Sequence, residues 1–172
     1  MSAEAARDTI QVMKPRVYVE TTIPSYLTAW PSRDLLRTAQ QQVTREWWDR
    51  RAAFELFISP LVLVECQAGD PTAAADRLAA VAGLPLLDQT EQVAALAEAL
   101  VRAVPIPPRA AADAVHIATA AVHGMQYLLT WNCTHIANAT LRPRIEATCR
   151  AAGCEPPLIC TPQELPPPEG EP

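Results

Sequence analysis

The amino-acid sequence predicts an α/β fold, with a central parallel sheet of four to five strands covered by helices on both faces in three layers. Short β-branched or apolar runs alternate along the chain with longer helix-patterned segments, which is the signature of parallel strands joined by helical crossovers. The helical segments are punctuated by Ser, Asp and Pro at their starts and Gly at their ends. A length of 172 residues with 49% hydrophobic side chains fits one domain with a sizeable core.

The elements follow in order. RVYVE (16–20) is a first strand ending at Glu20, and Pro24 then opens a short helical turn. Ser32 is positioned to cap a long helix running to Arg51, after which FELFI (54–58) is a second strand. Ser59 and Pro60 start a helix that Gly69 stops, so LVLVE lies in a short helix that is apolar nearly all round and therefore buried. Asp70 and Pro71 begin the next helix, ended near Gly83, and LPLL supplies a third strand. Asp88 with Glu91 resembles a capping box for a helix to Ala103, which the three prolines of VPIPP terminate. A helix from Arg109 to Gly124, the strand QYLLT, a helix from Pro143 to Ala152 and a fifth strand in PLIC complete the pattern.

Residues 15–161 are read as the folded domain, 1–14 as a flexible extension and 162–172 as a disordered proline-rich tail. The opening MSAEAARDTIQVMK lacks an apolar core behind basic residues, so no export signal is expected and a cytoplasmic location is. No apolar stretch reaches the length of about 18 residues needed to span a membrane. The net charge of −5 argues against a protein that coats nucleic acid by bulk electrostatics. Five cysteines without a CxxC pair indicate neither a disulfide framework nor a zinc site.

Four polar residues stand out against this background: Glu20, Glu65, Asp113 and Asn132 lie in or beside the apolar runs VYVETT, PLVLVEC, AAADAVHIATA and YLLTWN. An ionised side chain there is costly to bury without compensation. Glu20 ends the first strand and Asn132 follows the fourth, and in open α/β sheets the reactive site lies off the carboxyl ends of strands, beside a switch in strand order. Acids brought together in this way repel, and a divalent cation with oxygen ligands is the usual relief. Metal-dependent phosphodiester chemistry follows as the expectation.

The ordered set VYVETTIPSYL, ISPLVLVEC, AADAVHIATAAVHGMQYLLTWN and THIAN resembles the PIN-domain nucleases, most of all the VapC-type ribonuclease toxins of type II toxin-antitoxin pairs. The resemblance spans residues 16–160. It implies a PIN-like three-layer α/β/α fold and assigns Glu20, Glu65 and Asp113 as metal-binding acids, with Asn132 as a fourth catalytic position. Thr21 or Thr22 would lend a hydroxyl. Two departures are visible: Glu20 stands where the family has Asp, and Asn132 stands where a further Asp is common. Three acids suffice for one Mg²⁺ or Mn²⁺ and leave a tightly held second ion unsupported. The implied partners are an RNA substrate, an antitoxin protein and a second copy of the chain in a homodimer.

The implied reaction is metal-assisted hydrolysis of RNA, with Glu65 orienting or deprotonating water and Asn132 and a threonine fixing geometry. Its rival is a PIN-fold module that keeps the cleft for RNA or protein but has lost turnover; a phosphatase or DNA-directed nuclease on the same scaffold is a third reading. His135, just past Asn132, is an auxiliary candidate for touching phosphate. His116, on the same helical face as Asp113, is read as an interior histidine, with support of the acids as the alternative. Arg33, Arg37, Arg45, Arg50 and Arg51 give the long helix a basic character suited to RNA or to an acidic partner. Trp47 and Trp48 point about 100° apart on that helix; one is expected in the core and the other at an interface.

Overall fold

The β-branched run near the start of the chain forms β1 (Arg16–Val19), whose Val17, Tyr18 and Val19 are wholly buried. The structure, a computed structural model, describes residues 13–166. β1 is flanked by β2 (Glu55–Phe57) and β3 (Tyr127–Leu129), and β3 by β4 (Leu158–Cys160). All pairs are parallel, in the order β2-β1-β3-β4. The helices are α1 (Thr22–Thr28), α2 (Leu35–Asp49), α3 (Pro60–Cys66), α4 (Pro71–Val81), α5 (Glu91–Ala103), α6 (Ala111–Val122) and α7 (Arg142–Ala151).

The strand order dictates the layers. Parallel neighbours need right-handed crossovers, so the connections stepping from β1 out to β2 and beyond run over one face of the sheet. Those stepping back to β3 and on to β4 run over the other. The helices sort accordingly: α1 packs on α2 and α4, and α3 on α4, while α5 packs on α6 and α7. This is the predicted three-layer α/β/α fold, with four strands. Among the described residues no helix is long and apolar enough to cross a membrane.

Several local expectations are corrected. LPLL contributes one parallel bridge, Ile58 to Leu86, and no strand. Pro85 has no N–H to give, so the segment bonds β2's end only through Pro85 O and the Leu87 N–H, at 3.0 and 2.8 Å. The cap of α2 is Asp34, whose Oδ1 accepts the Arg37 N–H at 2.8 Å, and Ser32 instead accepts the Asp34 N–H. Thr90, in place of Asp88, caps α5 by accepting from the Val93 N–H. A 3-10 turn over Pro108–Ala110 precedes α6, so the α-helix begins at Ala111.

Both Trp47 and Trp48 are buried, which removes the expected interfacial tryptophan. Trp47 stacks on Phe54 at 5.3 Å and donates its Nε1–H to the Leu165 carbonyl at 2.7 Å. Leu165 is itself buried, as is Pro162, so two side chains of the segment set apart in the sequence as tail lie on the core. Residues 1–12 and 167–172 of the expected extension and tail lie outside the described residues.

Candidate functional site

Parallel strands end on one side of the sheet, and there the connections of β1 and β3 part. From β1 the chain moves out to β2; from β3 it moves the opposite way to β4. Such a switch point opens a crevice at two carboxyl strand ends. Glu20 sits at this point, its N–H still bonded to the Leu129 carbonyl at 3.1 Å. Thr130, Trp131 and Asn132 leave β3 beside it.

Glu20 is only 4% exposed, so its carboxylate depends on donors in place of water. Its Oε2 accepts from the Thr22 N–H (3.1 Å), the Thr22 hydroxyl (2.5 Å) and the Thr130 hydroxyl (2.7 Å). The pyramid of donors arises because α1 starts immediately after β1, which turns the Thr22 N–H and hydroxyl back onto the preceding acid. Oε1 has no hydrogen-bond partner among the described residues, yet it is not sealed in: the one buried side-chain polar atom without a partner among them is Arg142 Nε. Glu20 therefore has one oxygen committed to the protein and one available.

Glu65 projects from the last turn of α3 and is about one-third exposed. Its Oε2 accepts from the Thr21 hydroxyl and meets His116 Nε2 at 2.9 Å. Burial alone would raise its pKa; the hydrogen bond from His116, together with the Thr21 hydroxyl, outweighs burial and holds the carboxyl below the ordinary glutamate value of 4.5. One ligand atom each from Glu20, Glu65 and His116 lie within 4.8 Å of one another.

Asp113 is in the first turn of α6, three residues before His116 and on the same face of that helix. It does not belong to the 4.8 Å group. Its Oδ2 meets His135 Nδ1 at 2.8 Å. Asn132 joins this second cluster: its Oδ1 accepts the His135 backbone N–H at 3.1 Å, and its own N–H bonds the Thr130 hydroxyl at 2.9 Å. A continuous hydrogen-bonded path thus runs from Glu20 through Thr130, Asn132 and His135 to Asp113. The structure brings Glu20 and Glu65 into direct proximity, and sets Asp113, Asn132 and His135 together beside them. Thr21 serves Glu65 and Thr22 serves Glu20.

Thr130, Tyr18 and Ser59 also belong to the site, though no sequence motif marks them as such. Tyr18 OH lies 2.7 Å from His116 Nδ1 and 2.8 Å from Ser59 Oγ, all in the interior. A signal existed for Tyr18, which precedes Glu20 by two in a strand and so shares its face. Ser59 was legible only as a helix start, and Thr130 only as part of a strand end.

The donor set suits a hard divalent cation. Two carboxylates crowd one crevice, where like charges repel, and oxygen ligands without protein donors on both sides are what Mg²⁺ or Mn²⁺ takes. Glu20, with a free Oε1, and Glu65 would hold such an ion. Compared with curated proteins and with solved structures, the chain matches none. The family profile of the PIN domain, however, matches residues 17–132. That span begins within β1, ends at Asn132 and holds most of the chain, including the whole carboxylate crevice. On that match the chain belongs to the PIN-domain family.

Proposed function

We propose that this protein is a metal-dependent endoribonuclease of the VapC toxin type, hydrolysing RNA phosphodiester bonds with Mg²⁺ or Mn²⁺ and restrained by an antitoxin protein. The observation that carries this reading is the approach of Glu20, Glu65 and His116 within 4.8 Å at the switch point of a PIN fold. Glu20, Glu65 and Asp113 are the ligands in this account. When bound, the ion supplies a Lewis acid for the phosphoryl oxygen and lowers the pKa of water.

The chain's own residues do the rest. Thr22 and Thr130 hold Glu20 Oε2 so that Oε1 faces the ion's place. Glu65, its carboxyl kept ionised by its partners, would hold the ion and orient or deprotonate the attacking water. Asn132 supplies hydrogen bonding where the family has a charge, by fixing the His135 backbone. His135 Nε2 has no partner among the described residues once Nδ1 meets Asp113, and is assigned to a substrate phosphate.

The antitoxin assignment rests on the link from α1 to α2. Trp30, Leu35 and Leu36 are 92%, 87% and 69% exposed within seven residues, with Arg33 and Arg37 between and beside them. An apolar patch with basic neighbours suits a short amphipathic segment with acidic residues that folds on binding. Homodimerisation and a cytoplasmic location complete the proposal.

The test is purified protein on RNA and on DNA, with Mg²⁺, Mn²⁺ or EDTA. RNA cleavage that EDTA abolishes is the expected result. No cleavage of any RNA, with melting indifferent to millimolar Mg²⁺ and Mn²⁺, would overturn it in favour of a binding module. One observation favours that second reading: the contact with His135 engages Asp113 Oδ2, while Asn132 contributes no charge.

A further inference from the structure

His116 lies among the ligand atoms of the crevice, yet both of its ring nitrogens are already engaged. Nε2 meets Glu65 Oε2 at 2.9 Å, and Nδ1 meets Tyr18 OH at 2.7 Å. Tyr18 OH in turn lies 2.8 Å from Ser59 Oγ. His116, Tyr18 and Ser59 are all essentially without solvent contact, so each polar atom must find its partner within the protein.

One arrangement satisfies all of them. If Nε2–H donates to the Glu65 carboxylate, Nδ1 is left as an acceptor; Tyr18 O–H donates to it, and Ser59 O–H donates to Tyr18. The relay then runs in one direction, from Ser59 at the start of α3 to Glu65 at its end, through β1 and α6. The reverse proton placement on a neutral ring would aim the Nε2 lone pair at a carboxylate oxygen, acceptor against acceptor. In the satisfied arrangement the imidazole has no lone pair left for a cation.

We propose that His116 is a positioning residue and not a metal ligand: it fixes the Glu65 carboxylate, and Tyr18 and Ser59 fix its ring from the core. The inference deepens the metal-dependent reading and rests on it for its consequence, though not for its geometry. Residues that orient a metal-binding side chain typically carry about 10- to 100-fold in metal affinity. Thr21 alone would then hold Glu65 if the imidazole were lost, leaving the carboxylate free to rotate about its own side chain.

Two measurements test this. In the metal-free protein, ¹⁵N imidazole NMR should show the His116 proton on Nε2, slow to exchange, with a resonance that shifts in Glu65→Ala. A proton on Nδ1 alone, or a resonance indifferent to Glu65→Ala, would overturn the inference whether or not the protein binds metal or cuts RNA. For the consequence, Mn²⁺ affinity is measured by calorimetry. His116→Gln, whose amide N–H stands near the Nε2 position, should stay within about threefold of the wild type, while His116→Asn, which mimics Nδ1, should lose about 10-fold or more. Tyr18→Phe, which keeps the ring volume, should lose affinity in the same direction. Equal losses in His116→Gln and His116→Asn, with ¹⁴N coupling to bound Mn²⁺ in the wild type that both remove, would make His116 a ligand and sink the proposal. A wild type that binds no Mn²⁺ would refute the metal-dependent function itself, and the NMR result would still judge the relay.

Discussion

Thr130 and Glu20, one from each side of the β1–β3 seam, meet through a hydroxyl–carboxylate hydrogen bond of 2.7 Å, and the same hydroxyl receives the Asn132 N–H. A single buried oxygen thus ties together the strand end that carries the acid and the loop that carries the amide. Thr130→Val keeps the shape and removes both bonds. It should cost about 1 to 3 kcal/mol, the usual penalty for leaving buried polar groups unsatisfied, read from urea denaturation of the metal-free protein.

Asp113→Asn separates chemistry from fold. The substitution is nearly isosteric and Asp113 is partly exposed, so the melting temperature should move by no more than a few degrees. RNA cleavage should fall by about 100-fold or more if Asp113 is a ligand. Retention of wild-type cleavage rates in Asp113→Asn would remove this residue from the site.

Glu65 imposes a pH dependence on the metal-free protein. Its folded pKa lies below the ordinary value of 4.5, so its contribution to stability is present above that value and is lost as pH falls through the lower, folded one. Denaturation midpoints should therefore drop as the medium is acidified below about 4.5, and part of that drop should be absent from Glu65→Gln. Identical acid profiles for the two proteins would show that the His116 and Thr21 contacts do not act on the ionised form.

Leu35→Asp combined with Leu36→Asp places two charges on the exposed start of α2. Neither side chain belongs to the core, so folding and RNA cleavage should persist. Binding of the proposed antitoxin should weaken by about 2 kcal/mol or more, as for anchor residues of an interface, measured by co-purification and calorimetry. Undiminished binding would move the partner elsewhere.

The legible parts of the fold were those written in local chemistry. Glu20 and Glu65 drew notice because carboxylates interrupt apolar runs, and α3 and α4 were bounded by Pro60 and Pro71 at their first turns, with Asp70 capping α4, signals that depend on neighbours in the chain. The less legible parts depend on distant residues. LPLL has strand composition, but Pro85 leaves it too few donors for a ladder. Trp48 shares the core with Trp47 because Arg51 and the 3-10 turn after α2 cover it, with the Arg51 guanidinium 5.0 Å over its ring. His116 reads from sequence as any interior histidine; its partners lie 51 and 98 residues away. Trp30, overlooked beside the paired tryptophans, is the one that stands in solvent.

The separation of 110 positions between Glu20 and Thr130 also sets a clock. β1 emerges early from the ribosome, but its interior partner β3 is paired in register Val17 to Tyr127, and topologies built on such distant pairings fold slowly. At about 5 to 20 residues per second of synthesis, the acids exist for seconds before the hydroxyl and amide that organise them. A half-made chain carries every carboxylate up to Glu65 and no crevice to hold them. Under the proposed function, the crevice that would hold the ion is thereby absent for most of the chain's synthesis, and a partner made at the same time would have those seconds to arrive.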